Sequence, residues 1–438
     1  MSDHVLIFTY FAFLLGIGVI VANVLKKARF PDIFFLLLVG FVLGPTIWTH
    51  PTILAYINVA PIDVSVMGVV PDFLRTLALI MVVFTGSFNL NFQVFKRFSG
   101  ISTNLALIGV IFNTILFGLV AKIIFNLDLV PAFLLGSVLS GTSSEVVFAL
   151  KDTLKKREDV LTILKVESIF NTPLCLLLPI IFLDLFNLAP GAVIEPYKYL
   201  TQFWQLVAAG IGTGLLLGIA MSKLIGKMIK ELSPLLIFSL ALVTYAVAEN
   251  VGGSGMLAVA ICGLVIGNRI FPFKEEVTQF GDALSEMLRI SVFTLLGAQV
   301  LLLLEPKLLF LEIIFALIVL ASRPIFVMPL LGQLRSTLDD RSQVIVSSVA
   351  PRGIAAAAMA PLVASVIGND LIINIVFIVV LLSVLFSTTI TAIAGKKEPE
   401  EKERKEAEEA GAGKEVEEDF KEEVVNTKDP ELLLKNGD

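Results

Sequence analysis

The feature that most constrains this chain is a series of long apolar runs. Each run has roughly 18 to 25 residues, enough to cross a hydrocarbon layer of ~30 Å as a helix, and they begin near residues 4, 32, 64, 101, 131, 159, 199, 232, 254, 287, 309, 342 and 371. Apolar residues make up 56% of the 438 residues and charged residues 16%, which is too little polarity for a water-soluble surface. The sequence predicts an all-α polytopic protein with about 13 transmembrane helices in a lipid bilayer.

The C-terminal segment has a different composition. Residues 396–438 carry 16 acidic and 9 basic side chains and few apolar ones. Such a segment cannot bury enough apolar surface to offset the entropy cost of ordering. We therefore predict a membrane domain at residues 1–395 and an acidic, disordered tail at residues 396–438. Nothing in the charge distribution indicates a nucleic-acid partner.

The distribution of lysine and arginine predicts the orientation. These residues follow the odd-numbered runs, as at Lys26 and Lys27, whereas only Lys198 and Lys307 follow the even-numbered ones. Short cytoplasmic loops are enriched in Lys and Arg. We expect an N-out, C-in protein in the cell membrane (the plasma membrane), with a cytoplasmic tail.

Thirteen spans divide into six, one and six, so the second six would start on the opposite side of the membrane as an inverted repeat. The fifth and twelfth spans then correspond, and small polar residues interrupt both of them, at Ser140–Glu145 and at Ser347–Gly353. Broken helices at matching positions are typical of a midplane ion site in a secondary transporter, because half-helix ends and exposed backbone groups coordinate ions. The alternative is a pair of kinks needed only for helix packing.

Ionisable side chains inside the predicted spans need a partner or a function, since each costs about 2.5 to 3.5 kcal/mol at the bilayer centre. Glu167 and Asn171 share one helical face of the sixth span, with Ser168 and Thr172 beside them. We interpret Glu167 as part of a buried ion pair. We interpret Glu145 as an ion or proton ligand, because it lies at the helix break where water and ions would enter.

Three arginines also lie inside predicted spans: Arg289 in the tenth, Arg323 in the eleventh and Arg352 in the twelfth. A cation site would be repelled by a positive side chain. We therefore expect these arginines to be structural counter-ions rather than contacts of a transported cation.

Several short motifs occur in an order that resembles the monovalent cation:proton antiporter superfamily, and NhaP-type sodium/proton antiporters in particular. Over residues 5–394 these motifs are Pro31-Asp32-Ile33, Gly40–Pro45, Glu167–Asn171, Gly253–Ala258, Gly267-Asn268, Arg323-Pro324 and Pro351-Arg352-Gly353. The resemblance implies a homodimer, with a dimerisation domain and a mobile core domain that carries the ion site across the membrane in an elevator-like movement. It also implies that Glu167 pairs with Arg323, and that Thr142, Ser168 and Asn171 line the site.

Two positions depart from the NhaP pattern. The family has an Asp directly after the Asn of the sixth span, where this chain has Thr172, and a Thr-Asp-Pro in the fifth span, where it has Thr142-Ser143-Ser144. An exchanger needs a group for which proton and cation compete. Thr172 cannot supply it, so we predict that Glu145 does, with Ser143, Ser144 and Thr172 as neutral oxygen ligands.

The sequence thus predicts a secondary active transporter that exchanges Na⁺, or alternatively K⁺ or Li⁺, for protons without a cofactor or a resident metal. An uncoupled or channel-like carrier, or a sensor on the same scaffold, stays open because the Asp is missing. Gly252-Gly253-Ser254-Gly255 matches the G-x-S-G of intramembrane serine proteases. However, the only histidines, His4 and His50, lie in or beside the first two spans, and an enzyme is not expected.

Overall fold

The computed structural model describes residues 3–27, 32–45, 64–150, 154, 157–187, 196–224, 233–299, 305–332, 338–369 and 371–395. Within these ranges all regular secondary structure is helical, so the all-α prediction is confirmed there. The described residues up to Thr391 belong to one compact unit. The predicted acidic tail lies outside the described residues.

Fifteen α-helices and one 3₁₀ turn (Val64–Met67) occur in the described ranges. The helices are α1 (Asp3–Lys27), α2 (Asp32–Leu43), α3 (Val70–Phe88), α4 (Phe92–Phe125), α5 (Leu129–Val138), α6 (Ser144–Ala149), α7 (Glu158–Phe186), α8 (Pro196–Leu224), α9 (Ser233–Asn250), α10 (Gly255–Gly267), α11 (Lys274–Ala298), α12 (Pro306–Leu331), α13 (Asp340–Ser348), α14 (Ile354–Ile367) and α15 (Leu371–Gly395).

Seven helices in the described part of the chain are long and apolar enough to cross a membrane: α1, α3, α4, α7, α8, α12 and α15. Four further helices, α2, α5, α9 and α10, are apolar but shorter. The chain is therefore an integral membrane protein with several spans. The count of thirteen and the inverted repeat stay predictions.

Both spans that the sequence marks as interrupted consist of two helices. Residues 139–143 separate α5 from α6, and residues 349–353 separate α13 from α14. Ser143 caps α6, because its Oγ accepts a hydrogen bond from the N–H of Val146 (3.3 Å). Gly353 precedes α14 and has no side chain that could do the same. Each interruption thus exposes one helix C-terminus and one helix N-terminus.

Glycines bring several helices into backbone contact. A Cβ on Gly40 of α2 would overlap the carbonyl oxygen of Thr294 in α11, and a Cβ on Gly297 would overlap that of Leu37. Between α8 and α10, a Cβ on Gly214 would likewise meet the carbonyl oxygen of Ala258. Small residues permit this close packing between helices that have no hydrophobic driving force between them in lipid.

Candidate ion-binding site

The two helix interruptions lie against each other. The N–H of Ser143 donates to the carbonyl oxygen of Pro351 (2.8 Å). Nη1 of Arg352 donates to the carbonyl oxygens of Ser140 (2.8 Å) and Gly141 (2.7 Å). The last carbonyls of a helix lack intrahelical donors and carry negative partial charge. Arg352, which belongs to the second interruption, therefore covers two carbonyl oxygens that follow the C-terminus of α5 in the first. We call this contact the crossing of residues 139–143 and 349–353.

The structure also holds Arg352 in place. Its backbone N–H donates to Oγ of Ser383 (2.9 Å), and its guanidinium lies 5.4 Å from the ring centroid of Phe117, where a cation–π attraction operates. The residue is 1% exposed. Contacts from α4 and α15 thus position the guanidinium that covers the carbonyls of Ser140 and Gly141.

Glu167 of α7 and Arg323 of α12 form a two-pronged ion pair. Nη1 and Nη2 of Arg323 donate to Oε1 (2.8 Å) and Oε2 (2.7 Å) of Glu167, and both residues are at most 2% exposed. Nε of Arg323 also donates to the carbonyl oxygen of Val346 in the last turn of α13 (2.9 Å). Arg323 therefore neutralises Glu167 and the C-terminal end of α13 together.

Thr142 and Asn171 are brought together beside the crossing. Nδ2 of Asn171 donates to Oγ1 of Thr142 (2.6 Å), which leaves the amide oxygen of Asn171 and the second lone pair of Oγ1 of Thr142 for a further contact. A Cβ on Gly141 would overlap Sγ of Cys175, so the interrupted segment lies directly on α7. Thr142 and Asn171 thus present neutral oxygen atoms at the contact between α7 and the first interruption.

Ser168 and Thr172 lie on α7 next to this contact. Oγ1 of Thr172 donates to the carbonyl oxygen of Ser168 (2.9 Å), and Oγ of Ser168 donates to that of Lys165 (2.8 Å). Each hydroxyl has therefore used its hydrogen within its own helix. Its oxygen lone pairs are the remaining group with which it would meet a cation.

Glu145 is the second residue of α6, and its side chain lies outside the described part of the structure. Its backbone position is informative, since the N-terminus of a helix carries positive partial charge and favours an anionic side chain in the first turn. Ser144, the first residue of α6, is buried. The ligand roles of Glu145, Ser143 and Ser144 stay predictions.

Arg289 does not belong to the crossing. Its Nη1 and Nη2 donate to Oδ1 (3.0 Å) and Oδ2 (2.7 Å) of Asp32, and its Nε donates to Glu286 (3.1 Å). Arg289 therefore joins the first turn of α2 to α11 rather than compensating a charge near Glu167. Arg289 lies in a predicted span, but Asp32 could not be identified as its partner from the sequence, because the two residues are far apart along the chain.

Asn113 of α4 supports the first interruption and was missed from the sequence. Its Nδ2 donates to the carbonyl oxygen of Ser140 (3.1 Å), and its Oδ1 accepts from Oγ of Ser322 (3.4 Å). Asn113 is the one strongly polar side chain in the otherwise apolar stretch from Leu105 to Ala121. That isolation was the signal that could have identified it.

The sequence Gly252-Gly253-Ser254-Gly255 is accounted for by a helix start. Gly252 has φ +74°, a left-handed conformation that glycine adopts without strain. Oγ of Ser254 accepts from the N–H of Leu257 (3.4 Å) as the N-cap of α10. His4 lies on an exposed part of α1, and His50 lies outside the described residues. The structure brings neither histidine to Ser254 within its described part.

Comparisons with known proteins agree with the resemblance to cation:proton antiporters. Residues 10–397 match the family model described as sodium/hydrogen exchanger, transmembrane. The chain is 29% identical over 313 residues to the probable Na⁺/H⁺ antiporter 2 of Methanocaldococcus jannaschii, which covers 68% of this chain and 70% of that protein. It is 27% identical over 320 residues to the K⁺/H⁺ antiporter NhaP2 of Shewanella sp. (strain MR-4), covering 70% of this chain and 54% of that longer protein.

The fold resembles a solved structure of the sodium proton antiporter MjNhaP1 from Methanocaldococcus jannaschii at pH 8. The TM-score is 0.69 with 22% sequence identity, and the match covers 90% of this chain and 99% of that one. At this identity the likeness establishes a shared fold and leaves the ion specificity of this chain open.

Proposed function

Because this chain belongs to the sodium/hydrogen exchanger family, we propose that it is a secondary active transporter that exchanges a monovalent cation for protons. The first candidate for the cation is Na⁺, with K⁺ or Li⁺ as alternatives, since the matched relatives are named as Na⁺/H⁺ and K⁺/H⁺ antiporters. The observation that carries the proposal is the crossing. There Arg352 covers carbonyl oxygens that follow α5, Arg323 bonds a carbonyl oxygen in the adjoining last turn of α13, and neutral oxygen atoms lie alongside.

The proposed cation ligands come from α7 and the first interruption. Thr142 and Asn171 supply oxygen atoms at their mutual contact, and Ser168 and Thr172 supply lone pairs from the adjoining face of α7. Ser143 and Ser144 belong to the same proposed set. Unwound backbone and half-helix ends coordinate Na⁺ in transporters of this general construction.

We assign Glu145 as the group for which the proton and the cation compete. Glu167 is a poor candidate, because both of its carboxylate oxygens already accept hydrogen bonds from Arg323. Thr172 has no titrating group. Glu145 lies in the first turn of α6, so its backbone is at the end of the interrupted segment.

Glu145→Gln tests this assignment. The purified full chain is reconstituted into liposomes, and proton movement is followed by fluorescence dequenching with Na⁺, K⁺ or Li⁺ at several pH values. We expect wild type to exchange at least one cation and Glu145→Gln to lose exchange. Glu275→Gln, which removes an exposed carboxylate from the first turn of α11, is the matched control and should exchange like wild type. Retained exchange in Glu145→Gln would contradict the assignment and direct attention to Glu167.

We further propose an elevator-like movement in which a core domain carries the crossing past a dimerisation domain within a homodimer. The proposed arrangement places the protein in the plasma membrane with the membrane domain at residues 1–395, the N-terminus outside and the tail 396–438 in the cytoplasm. A single cysteine introduced at Ala410, in a variant that lacks Cys175 and Cys262, should be labelled by an impermeant thiol reagent only after cells are opened. Labelling of intact cells would reverse the proposed orientation.

An uncoupled or channel-like carrier, or a sensor, is the second candidate. The observation that favours it is Thr172 at the position of the family's Asp, with its hydroxyl bonded to the carbonyl oxygen of Ser168. Cation movement that is coupled to proton movement in the opposite direction across the membrane supports the antiporter. Cation flux that is independent of the proton gradient supports the uncoupled carrier.

A further inference from the structure

Glu312 is a buried carboxyl that the proposed ion site does not use. It lies in the second turn of α12 and is 0% exposed. Among the described residues, neither of its carboxyl oxygens has a hydrogen-bond partner. Glu167, the other carboxyl residue of the interior with comparable burial, has both oxygens bonded by an arginine.

Apolar side chains surround the helix face on which Glu312 lies. Phe315, Ala316 and Val319 follow it on the same face and belong to the largest apolar core of the molecule. The ring of Phe315 packs against that of Phe125 at the end of α4, with centroids 5.5 Å apart. This environment offers an ionised carboxylate no donor in place of water.

The charged groups of the neighbouring helices do not compensate Glu312 in the described structure. Helices α4 and α13 pack against α12, and α14 and α15 share its apolar core but carry no ionisable residue. The ionisable residues of α4, α12 and α13, with the residue that precedes α12, are Lys96, Arg97 and Lys122, Glu305, Lys307 and Arg323, and Asp340 and Arg341. Lys122, Asp340 and Arg341 are exposed, and Arg323 is bonded to Glu167.

Glu312 shares a helix face with Arg323. The residues at positions 312, 316, 319 and 323 follow the spacing that places side chains in one row. Eleven residues separate Glu312 from Arg323, which is about 16 Å along the helix axis. Glu312 thus lies on the same helix face as Arg323, between the Pro306 end of α12 and the ion pair of Arg323 with Glu167.

We propose that Glu312 is a proton-binding carboxyl that sets part of the pH dependence of exchange. With its apolar surroundings closed it holds a proton, because the neutral acid is the form that burial tolerates. When water reaches the Pro306 end of α12, the acid releases that proton to water and later takes one back. This inference rests on the proposed exchange of a cation for protons, and it assigns the proton to a second position besides Glu145.

Infrared difference spectroscopy of the full chain in lipid nanodiscs tests proton binding directly. Spectra recorded at about pH 6 and about pH 9, above the range in which exposed carboxylates take up protons, should differ by the C=O band of a protonated carboxylic acid. We expect Glu312→Gln, a near-isosteric neutral replacement, to lose one such band and Glu312→Asp to regain a shifted one. Glu305→Gln, which removes an exposed carboxylate at the start of α12, should leave the spectrum unchanged. A full set of bands in Glu312→Gln would overturn the proposal.

Exchange in proteoliposomes tests the role in pH dependence. Where the binding of a single proton governs the pH profile, the exchange rate of wild type should change by about tenfold per pH unit. The exchange rate of Glu312→Gln should change less than about twofold over the same pH range, although this variant still exchanges cations. Glu312→Asp should restore the steeper pH dependence. A wild-type profile in Glu312→Gln would overturn the proposal even if the infrared band is lost.

The infrared experiment and the exchange experiment together distinguish failure of this inference from failure of the proposed function on which it rests. If wild type exchanges no cation at any pH, the proposed antiport fails, whereas the infrared arm still decides whether Glu312 binds a proton. If wild type exchanges and Glu145→Gln does not, the antiport stands, and the slope of Glu312→Gln decides the role of Glu312. Elution of each variant as a single peak in gel filtration excludes misfolding as the cause.

Discussion

Both helix interruptions are short non-helical segments between two helices, but they present different chemical groups. The first presents hydroxyl groups, is capped by Ser143 and accepts hydrogen bonds at its carbonyls from Arg352. The second contributes Arg352 itself, has Gly353 at its helix start and has its C-terminal end bonded by Arg323. Arginines therefore bond carbonyl oxygens at both interruptions, and the proposed oxygen ligands are concentrated at the first interruption. The first interruption is therefore the one to which we assign the proposed cation ligands, and the second supplies compensating positive charge.

Removal of Arg323 should have the largest effect on stability. Arg323→Met leaves Glu167 buried without its partner, and such a change costs about 3–5 kcal/mol. Thermal unfolding of the purified protein in detergent measures the loss. The double variant Glu167→Leu/Arg323→Met should recover much of it, because no uncompensated charge is left. Equal stability of the single and double variants would show that Glu167 is not what makes Arg323 necessary.

Removal of Arg352 should cost less, and this sharpens the contrast between the two arginines. In Arg352→Met the carbonyl oxygen of Gly141 loses its donor, whereas that of Ser140 keeps the bond from Asn113. One buried polar group without a partner costs about 1–3 kcal/mol. The same unfolding assay, run beside Arg323→Met, measures the difference. A loss as large as that of Arg323→Met would mean that Arg352 compensates a carboxylate as well as carbonyls.

The cap of α6 predicts a smaller effect. Ser143→Ala removes the acceptor for the N–H of Val146 and should lower the free energy of unfolding by about 1 kcal/mol. Ser143→Gly is the matched control and should cost only a few tenths of that unit, since glycine is tolerated at an N-cap. Equal losses in the two variants would show that the hydroxyl does not stabilise α6 as a cap.

The smallest effect is expected at the far end of α13. Arg157, the N-cap of α7, donates to both oxygens of Asp339 (2.9 and 3.0 Å), the N-cap of α13. Although partial burial raises the pKa of Asp339, hydrogen bonds from Ser342 and Arg157 together with the Arg157 charge hold that pKa below its ordinary value. Asp339→Asn should cost at most about 1 kcal/mol at neutral pH, because the Asp339 side chain is half exposed.

The pH dependence of this pair has a definite sign. A lowered pKa in the folded state stabilises the fold above the ordinary Asp value of about 3.9 and ceases to do so as the pH falls through the folded value. The difference in melting temperature between wild type and Asp339→Asn should therefore be present at pH 7 and shrink below about pH 4. Asp340→Asn is the neighbouring control. A difference that persists in acid would assign the effect to the N-cap rather than to the charge.

Several particular features followed from the sequence alone. The positions of Ser140–Glu145 and Ser347–Gly353 marked the interruptions, because small polar residues and proline do not continue an apolar helix. The family resemblance is confirmed by the family model, and it associated Glu167 with Arg323. By contrast, Asp32 as the partner of Arg289, Asn113 as the support of Ser140 and Glu312 as an unpartnered acid were not identified.

The reason for these omissions is physical. In a soluble protein the polar face of a helix shows which side is buried. In a membrane protein the side that faces lipid and the side that faces the core are both apolar, so spacing along the chain does not show which helices meet. Asp32 and Arg289 therefore had no sequence signal that joined them. Only the packing of α2 against α11 through Gly40 and Gly297 brings them together.

The sequence by itself determined that this chain is a helical membrane protein of a cation:proton antiporter family with two interrupted helices, because hydrophobic length and backbone-breaking residues are local properties. Only the tertiary structure decided that the two interruptions touch, that Arg352 covers the carbonyls of Ser140 and Gly141, and that Arg323 bonds both Glu167 and α13. Compensation of charge inside an apolar protein depends on distances of a few ångströms between distant segments, and these distances exist only once the helices have packed.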